Sequence, residues 1–178
     1  MTKTELRRIM LEKRMHLSKE KIEFYSKEAV KKIQKHPFYI QANYIGIYHP
    51  IKNELNILSL TKDKKHFALP VVHDDFMHYH PYQLGADLVE SALNIQEPAV
   101  DKIVDDTLDL LIVPALAVTL EGDRLGYGKG FFDRFIEHHK TIKTLSVVID
   151  FQLIKTLPQM LHDQKIDQII IVGDTYDY

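Results

Sequence analysis

The sequence predicts one α/β domain over residues 1–178, a mainly parallel β-sheet flanked by helices on both faces and preceded by N-terminal helices. Short apolar runs of strand length alternate with segments of helical period, the order that builds a parallel sheet covered on both sides. One run, 108–113, is apolar at every position except Asp109, as expected of a strand buried on both faces. No repeat, low-complexity tract or Gly/Ser/Pro-rich linker divides the 178 residues, and a domain of that size buries roughly 70% of its unfolded surface.

Taken in order, residues 2–15 read as a helix with Leu6, Ile9, Met10 and Lys13 along one side. Ser18 is suited to cap a second helix over 19–35, where Ile22, Tyr25, Ala29 and Ile33 keep helical spacing and His36-Pro37 marks the end. Residues 44–48 read as a buried strand, and His49-Pro50 leads from it to a short helical stretch beginning near Glu54. Further strands are predicted at 66–72, 77–82 and 108–113, the last of them central in the sheet. A Gly-rich loop should follow it directly, then a helix over 131–140 and strands at 144–149 and 166–172. In sheets of this kind ligands collect beyond the carboxyl ends of the strands.

The absence of cysteine excludes disulfides, thiol chemistry and Cys-ligated zinc, and fits a reducing compartment. Residues 1–14 are charged throughout and lack the apolar core of a signal peptide, and no apolar run reaches the roughly 18 residues of a membrane span. A cytoplasmic protein without a membrane partner is expected. The net charge of −2 is unevenly spread: residues 1–36 carry 11 Lys and Arg against 5 Asp and Glu, and the remainder carries 12 against 20. A basic opening on an acidic body can face phosphate, nucleic acid or the body itself; a solvated helix surface explains most of these charges as well.

The most informative stretch is Arg124-Leu125-Gly126-Tyr127-Gly128-Lys129-Gly130-Phe131-Phe132-Asp133. Three alternate glycines leave backbone N–H groups uncovered and permit positive φ, and N–H groups at a helix start form an anion site. Lys129 and Arg124 place positive charge where phosphates would lie, and Asp133, in the first helical turn, is suited to Mg²⁺. A turn whose glycines only allow tight packing, with Asp133 serving the helix dipole, explains the same residues. The pattern is neither of the common nucleotide-loop motifs, so spacing alone leaves both readings open.

The run 109–136, DLLIVPALAVTLEGDRLGYGKGFFDRFI, resembles the signature of the 5-formyltetrahydrofolate cyclo-ligase family, in which a V-P-G-[LV]-A-F-like strand end is followed by R-L-G-x-G-x-G-[YF]-[YF]-D. Four further elements match in order. They are Lys3-Thr4-Glu5-Leu6-Arg7 with Arg14, Asn53-Glu54-Leu55, Glu97-Pro98, and Leu157-Pro158 through His162-Asp163 with Ile166-Asp167. The chain departs from the pattern at Ala115 (usually Gly), Val118-Thr119 (Phe-Asp), Phe131 (often Tyr) and Met160 (often Glu).

The resemblance implies an ATP- and Mg²⁺-dependent enzyme that converts 5-formyltetrahydrofolate to 5,10-methenyltetrahydrofolate, releasing ADP and phosphate. It implies ATP contacts from Lys3, Arg7, Arg124, Leu125, Gly126, Tyr127, Gly128, Lys129, Gly130, Phe131 and Phe132, with Lys129 and Arg124 serving the catalytic step. It implies folate contacts from His49, Glu54, Tyr127 and Phe131, and Mg²⁺-associated carboxylates at Asp133 and Asp163. Arg14 lies on nearly the same helix face as Lys3 and Arg7 and is given no definite role. The expected protein is a monomer or weak dimer with no nucleic-acid partner. A non-catalytic nucleotide- or RNA-binding α/β protein using the basic N-terminus is the competing class; the acidic remainder and the lack of an RNA-binding signature speak against it. His78 and His80 share a strand face, a common surface arrangement, and His138-His139 suit a helix C-terminus.

Overall fold

The computed structural model describes residues 1–174. Helix α1 (Lys3–Met15) starts at a reciprocal cap: the Thr2 hydroxyl accepts the Glu5 N–H at 3.2 Å, and the Glu5 carboxylate accepts the Thr2 N–H at 2.7 Å. Helix α2 (Lys19–Lys35) is capped by Ser18, which accepts the Lys21 N–H at 3.2 Å. A third, short helix that the sequence reading missed, α3 (Pro37–Gln41), follows at once because Pro37 can open a helix and the His36 ring accepts the Phe38 N–H.

The strands are β1 (Tyr44–Gly46), β2 (His66–His73), β3 (Phe76–Tyr82), β4 (Leu88–Glu90), β5 (Gln96–Pro98), β6 (Leu110–Ile112), β7 (Ala117–Val118), β8 (Arg124–Leu125), β9 (Lys143–Ile149) and β10 (Gln168–Val172), with helix α4 (Phe131–His138) between β8 and β9. Six of them form the main sheet in the order β10-β9-β6-β1-β2-β3. All neighbours are parallel except β3, which turns back antiparallel along the β2 edge. Strand β6 is central, as its composition predicts, and every residue in it is buried. Asp109 interrupts the apolar run because it sets the strand's start: its carboxylate accepts the N–H groups of Asn43 and Tyr44 and aligns β6 with β1.

The sheet has a core on each face. Leu110 and Ile112 point into the one built with Tyr25, Ala29 and Ile33 of α2. Leu111 and Val113 point into the other, with Phe135 and Ile136 of α4. This alternation is the period-2 geometry of a strand buried on both sides. Gly46 makes the second core possible: a Cβ there would lie 2.6 Å from Leu111 Cδ2 and 2.7 Å from the Tyr79 ring. Both neighbours are buried, so Gly46→Ala is expected to lower the unfolding free energy by about 1–3 kcal/mol, read from the urea midpoint. An unchanged midpoint would show that the ring and the leucine repack without strain.

Three expectations need correction. The buried side of α1 is Leu6, Met10 and Arg14, whereas Lys13 is exposed; the helix packs on β7 and β8 through Leu116, Ala117 and Leu125, which offer apolar cover only along that stripe. No helix starts at Glu54, because Lys52 and Asn53 adopt positive φ (47° and 58°) and reverse the chain; a short 3-10 helix, Leu58–Lys62, follows a few residues on. The glycine loop does not follow β6 directly, since the antiparallel β7–β8 pair intervenes and carries Arg124 and Leu125 as strand residues. Helix α4 ends at His138, and the rings of His138 and His139 contact the carbonyls of Arg134 and Phe135, as suits residues at a helix C-terminus.

Candidate active site

A cleft of about 1030 Å³ opens beyond the carboxyl ends of β1 and β6. Along it lie His49 and Glu54 after β1, the glycine loop, the first turn of α4, Lys3 and Arg7 of α1, and Asp163. Every site residue named from the sequence therefore borders one cavity. The approach of Lys3 and Arg7 to a loop more than 110 residues away follows from the docking of α1 on β7 and β8. A smaller depression of about 590 Å³ beside α3 holds Asp63, which is already engaged by the Tyr39 hydroxyl and the Gln34 amide.

The loop is held from below and from the side. Arg7 Nε donates to the Gly126 carbonyl at 2.8 Å, and its guanidinium passes over Gly128, where a Cβ would lie 3.2 Å from Arg7 Cζ. Gly128 has φ +99°, so a side chain would be strained there as well as crowded. Arg124 is buried beneath the loop; it donates to the Pro114 carbonyl at 3.2 Å and pairs with Asp133 at 3.3 Å. Its cation lies 5.6 Å from the centre of the Phe132 ring. Lys129 is exposed at the cleft, and its ammonium forms no ion pair among the described residues. Arg124 is thus built into the floor, and Lys129 is the exposed cation of the loop.

Both acidic residues expected near a metal face the cleft and are already engaged. Asp133 pairs with Arg124 and accepts the Gln164 N–H at 3.1 Å. Asp163 pairs with Lys3 and accepts the Met160 N–H at 2.7 Å. Among the described residues no group of three or more His, Cys, Asp or Glu is placed to hold a metal ion by itself. His73 and His80 contact each other through Nε2 at 3.2 Å, and His78 contacts Asp105 at 2.7 Å.

On the other side of the cleft, Glu54 is buried. Its Oε2 accepts the Ile51 N–H at 3.0 Å and its Oε1 accepts the Tyr127 hydroxyl at 3.2 Å. Loss of solvent raises its pKa, and the Arg14 guanidinium, the Ile51 N–H, the Tyr127 hydroxyl and Lys52 oppose that rise. Burial also pushes the Tyr127 hydroxyl up and the His49 imidazole down, which keeps both neutral near neutral pH. The half-buried Phe131 ring, with the Arg134 cation 5.2 Å from its centre, offers a flat apolar surface in the same cavity. The sequence reading missed Lys52, Pro70 and the β4–β5 connection (Leu93, Asn94 and Ile95), which also line the cleft. Only Asn53, a residue type that tolerates positive φ, hinted at the reversal that places Lys52 and Glu54.

A cleft with a buried acid at one end and glycines among cations at the other, in an α/β protein, is suited to a flat, hydrogen-bonding ring beside an anion. The profile of the 5-formyltetrahydrofolate cyclo-ligase family matches residues 1–172, and the chain belongs to that family. It is 28% identical to the 5-formyltetrahydrofolate cyclo-ligase of Escherichia coli K12 over 94% of its own length and 98% of that protein's. Among solved structures it matches the 5,10-methenyltetrahydrofolate synthetase of Aquifex aeolicus with a TM-score of 0.83 and 28% identity, covering 100% of this chain and 97% of the other. The Mycoplasma pneumoniae protein of the same name shares the fold at a TM-score of 0.75 and 22% identity, over 96% and 98% of the two chains.

Proposed function

We propose that the protein catalyses the ATP- and Mg²⁺-dependent conversion of 5-formyltetrahydrofolate to 5,10-methenyltetrahydrofolate, with release of ADP and phosphate. The observation that carries this reading is the arrival of Glu54 and the glycine loop at one cleft from different parts of the chain, with Tyr127 bonded across to the acid. Each Glu54 oxygen uses one lone pair on the protein and keeps another, which suits the paired N–H donors of a pterin. Phe131 and His49 would flank the ring, and Leu125 and Phe132 would wall the nucleotide side together with the backbone of Gly126, Gly128 and Gly130.

In this reading the formyl oxygen attacks the γ-phosphate of ATP and displaces ADP. N10 then adds to the activated carbon and loses its proton, and phosphate leaves as the C=N bond of the closed ring forms. Phosphoryl transfer asks the protein chiefly to position reactants and to meet charge. Lys3, Arg7 and Lys129 would do so at the polyphosphate, while the buried Arg124 would act from the floor of the loop. Mg²⁺ fits a site of this kind when phosphate oxygens and water supply most of its ligands. Asp133 and Asp163 are the oxygen donors available, and their existing ion pairs limit them to a minor share. When bound, the ion would neutralise phosphate charge. The reading includes a cytoplasmic enzyme acting on a small molecule as a monomer or weak dimer. The small-molecule part is supported by Lys3 and Arg7 of the basic helix α1, which line the cleft; among the described residues no helix is long and apolar enough to cross a membrane.

The test is the absorbance of methenyltetrahydrofolate formed from 5-formyltetrahydrofolate. Product that appears only with both ATP and Mg²⁺ is expected; ATP-independent product or none would overturn the reading. Within it, Arg7→Ala should weaken ATP binding about tenfold or more, because it removes a hydrogen bond from a charged group and a cation beside Gly128. Titration with a non-hydrolysable ATP analogue measures this, and an unchanged affinity would leave Arg7 as a structural tie to the Gly126 carbonyl alone.

A further inference from the structure

Arg14 is 2% exposed and does not line the cleft. A guanidinium so deeply buried must be satisfied within the protein, and this one spans three segments. Nε donates to the Lys52 carbonyl at 2.9 Å, Nη1 to the Ala115 carbonyl at 3.4 Å, and Nη2 to the Tyr127 hydroxyl. The Arg14 carbonyl in turn accepts the Asn53 amide at 3.3 Å. Lys52 and Asn53 are the two positive-φ residues whose reversal delivers Glu54, and Tyr127 is the glycine-loop residue whose hydroxyl donates to Glu54. One side chain therefore braces both approaches to the acid. Arg14 follows Arg7 by seven residues, so the two differ in direction by roughly 20° around α1, and the same helix carries the cations of the phosphate side.

We propose that Arg14 is a positioning residue for this reaction: from behind the cleft it locks the 52–54 turn and Tyr127 together, so that Glu54 and the glycine loop are set as one unit. The inference rests on the proposed function, since it assumes that Glu54 reads the pterin. Its chemistry is specific to arginine. Three donors in a rigid plane serve three acceptors from three segments, which a lysine ammonium on a flexible stem cannot reproduce. Its charge matters as well. The groups facing Glu54 are Arg14 from α1, Lys52 from the turn, Tyr127 from the loop and Tyr48 after β1. Arg14 favours the ionised acid against the effect of burial. Without that cation a proton binds Glu54 at higher pH, and ring binding that needs the carboxylate is lost from higher pH downward.

Binding of 5-formyltetrahydrofolate to the full chain would be followed by calorimetry from pH 5 to 8, with circular dichroism to confirm folding. Arg14→Met should move the acid limb of binding upward by about one pH unit. In a Glu54→Gln background the same substitution should move nothing, which a merely structural role would not predict. Arg14→Lys keeps the charge and should leave the limb in place while lowering kcat/KM for 5-formyltetrahydrofolate about tenfold or more. A folded Arg14→Met protein with the wild-type limb would overturn the inference. If that variant does not fold, Arg14→Lys carries the test, and wild-type kcat/KM in it would overturn the inference equally. A wild-type chain that binds no 5-formyltetrahydrofolate would instead overturn the proposed function, and this inference with it.

Discussion

Glu54→Gln is expected to weaken binding of 5-formyltetrahydrofolate by about 10- to 100-fold and to leave ATP affinity nearly unchanged, since a hydrogen bond to a buried charge is worth roughly 1.5–3 kcal/mol. The carboxylate is saturated on its protein side by the Ile51 N–H and the Tyr127 hydroxyl, one on each oxygen. An amide has only one acceptor oxygen, so one of these donors would face an NH₂ group instead, and the pterin would meet one acceptor in place of two. The Arg14 guanidinium nearby would also lose the anion that its charge accompanies in the protein interior. In the proposed reading ATP would be held by cations and backbone elsewhere in the cleft, so its affinity should not follow. Calorimetric titration with each ligand separately checks this. Equal losses for both would mean that Glu54 supports the architecture of the cleft and does not read the ring.

The pattern of local sequence found what local physics decides. Strand β6 was legible because burial on both faces demands apolar residues at successive positions, and Leu110, Leu111 and Ile112 supply them. Helix α2 was legible from Tyr25, Ala29 and Ile33, whose spacing keeps one face on the sheet. The two-residue strands β7 and β8 were not, because they are too short to show a period. The three-residue strands β4 and β5 escaped for the same reason, and with them the Leu93–Ile95 connection that borders the cleft. The burial of Arg14 was not legible, because a buried arginine gives no apolar signal and its acceptors lie 38, 101 and 113 residues away.

The glycine loop shows the same division. Its capacity to adopt positive φ was readable from spacing, and Gly128 and Gly130 do so at +99° and +73°. The fates of its cations were not readable. Arg124 and Lys129 look alike in sequence, yet Arg124 is tied down by Pro114 and Asp133, and Lys129 is exposed at the cleft. Asp163 finds Lys3 across 160 residues, a pairing that only the docking of α1 can set. The resemblance to a family placed these residues at one site; the chemistry of each depends on neighbours that no window of sequence contains.

Lys129→Ala is expected to lower kcat by about 100-fold and to raise the KM for ATP far less, in line with the loss of one donor aimed at charge that develops in a transition state. Phosphoryl transfer spreads negative charge over the γ-phosphate oxygens as the formyl oxygen approaches, and only interactions stronger at that point raise kcat. The other loop cation is committed: Arg124 lies under the glycines and shares its charge with Asp133. Lys129 lies between two positive-φ glycines at the cleft, with an ammonium that no described acid claims. It can therefore follow the phosphate as the charge moves, which a fixed floor residue cannot. Removing it should leave ATP bound by the backbone N–H groups, Lys3 and Arg7, so that binding persists while turnover fails. Steady-state kinetics at saturating 5-formyltetrahydrofolate, with circular dichroism to confirm folding, separates the two constants. A folded variant with wild-type kcat would show that the loop acts through its backbone alone and that the exposed lysine serves only the surface. Lys129→Arg then distinguishes charge from reach: an arginine keeps the cation on a different stem, so recovery of most of kcat would assign the effect to charge at the phosphate.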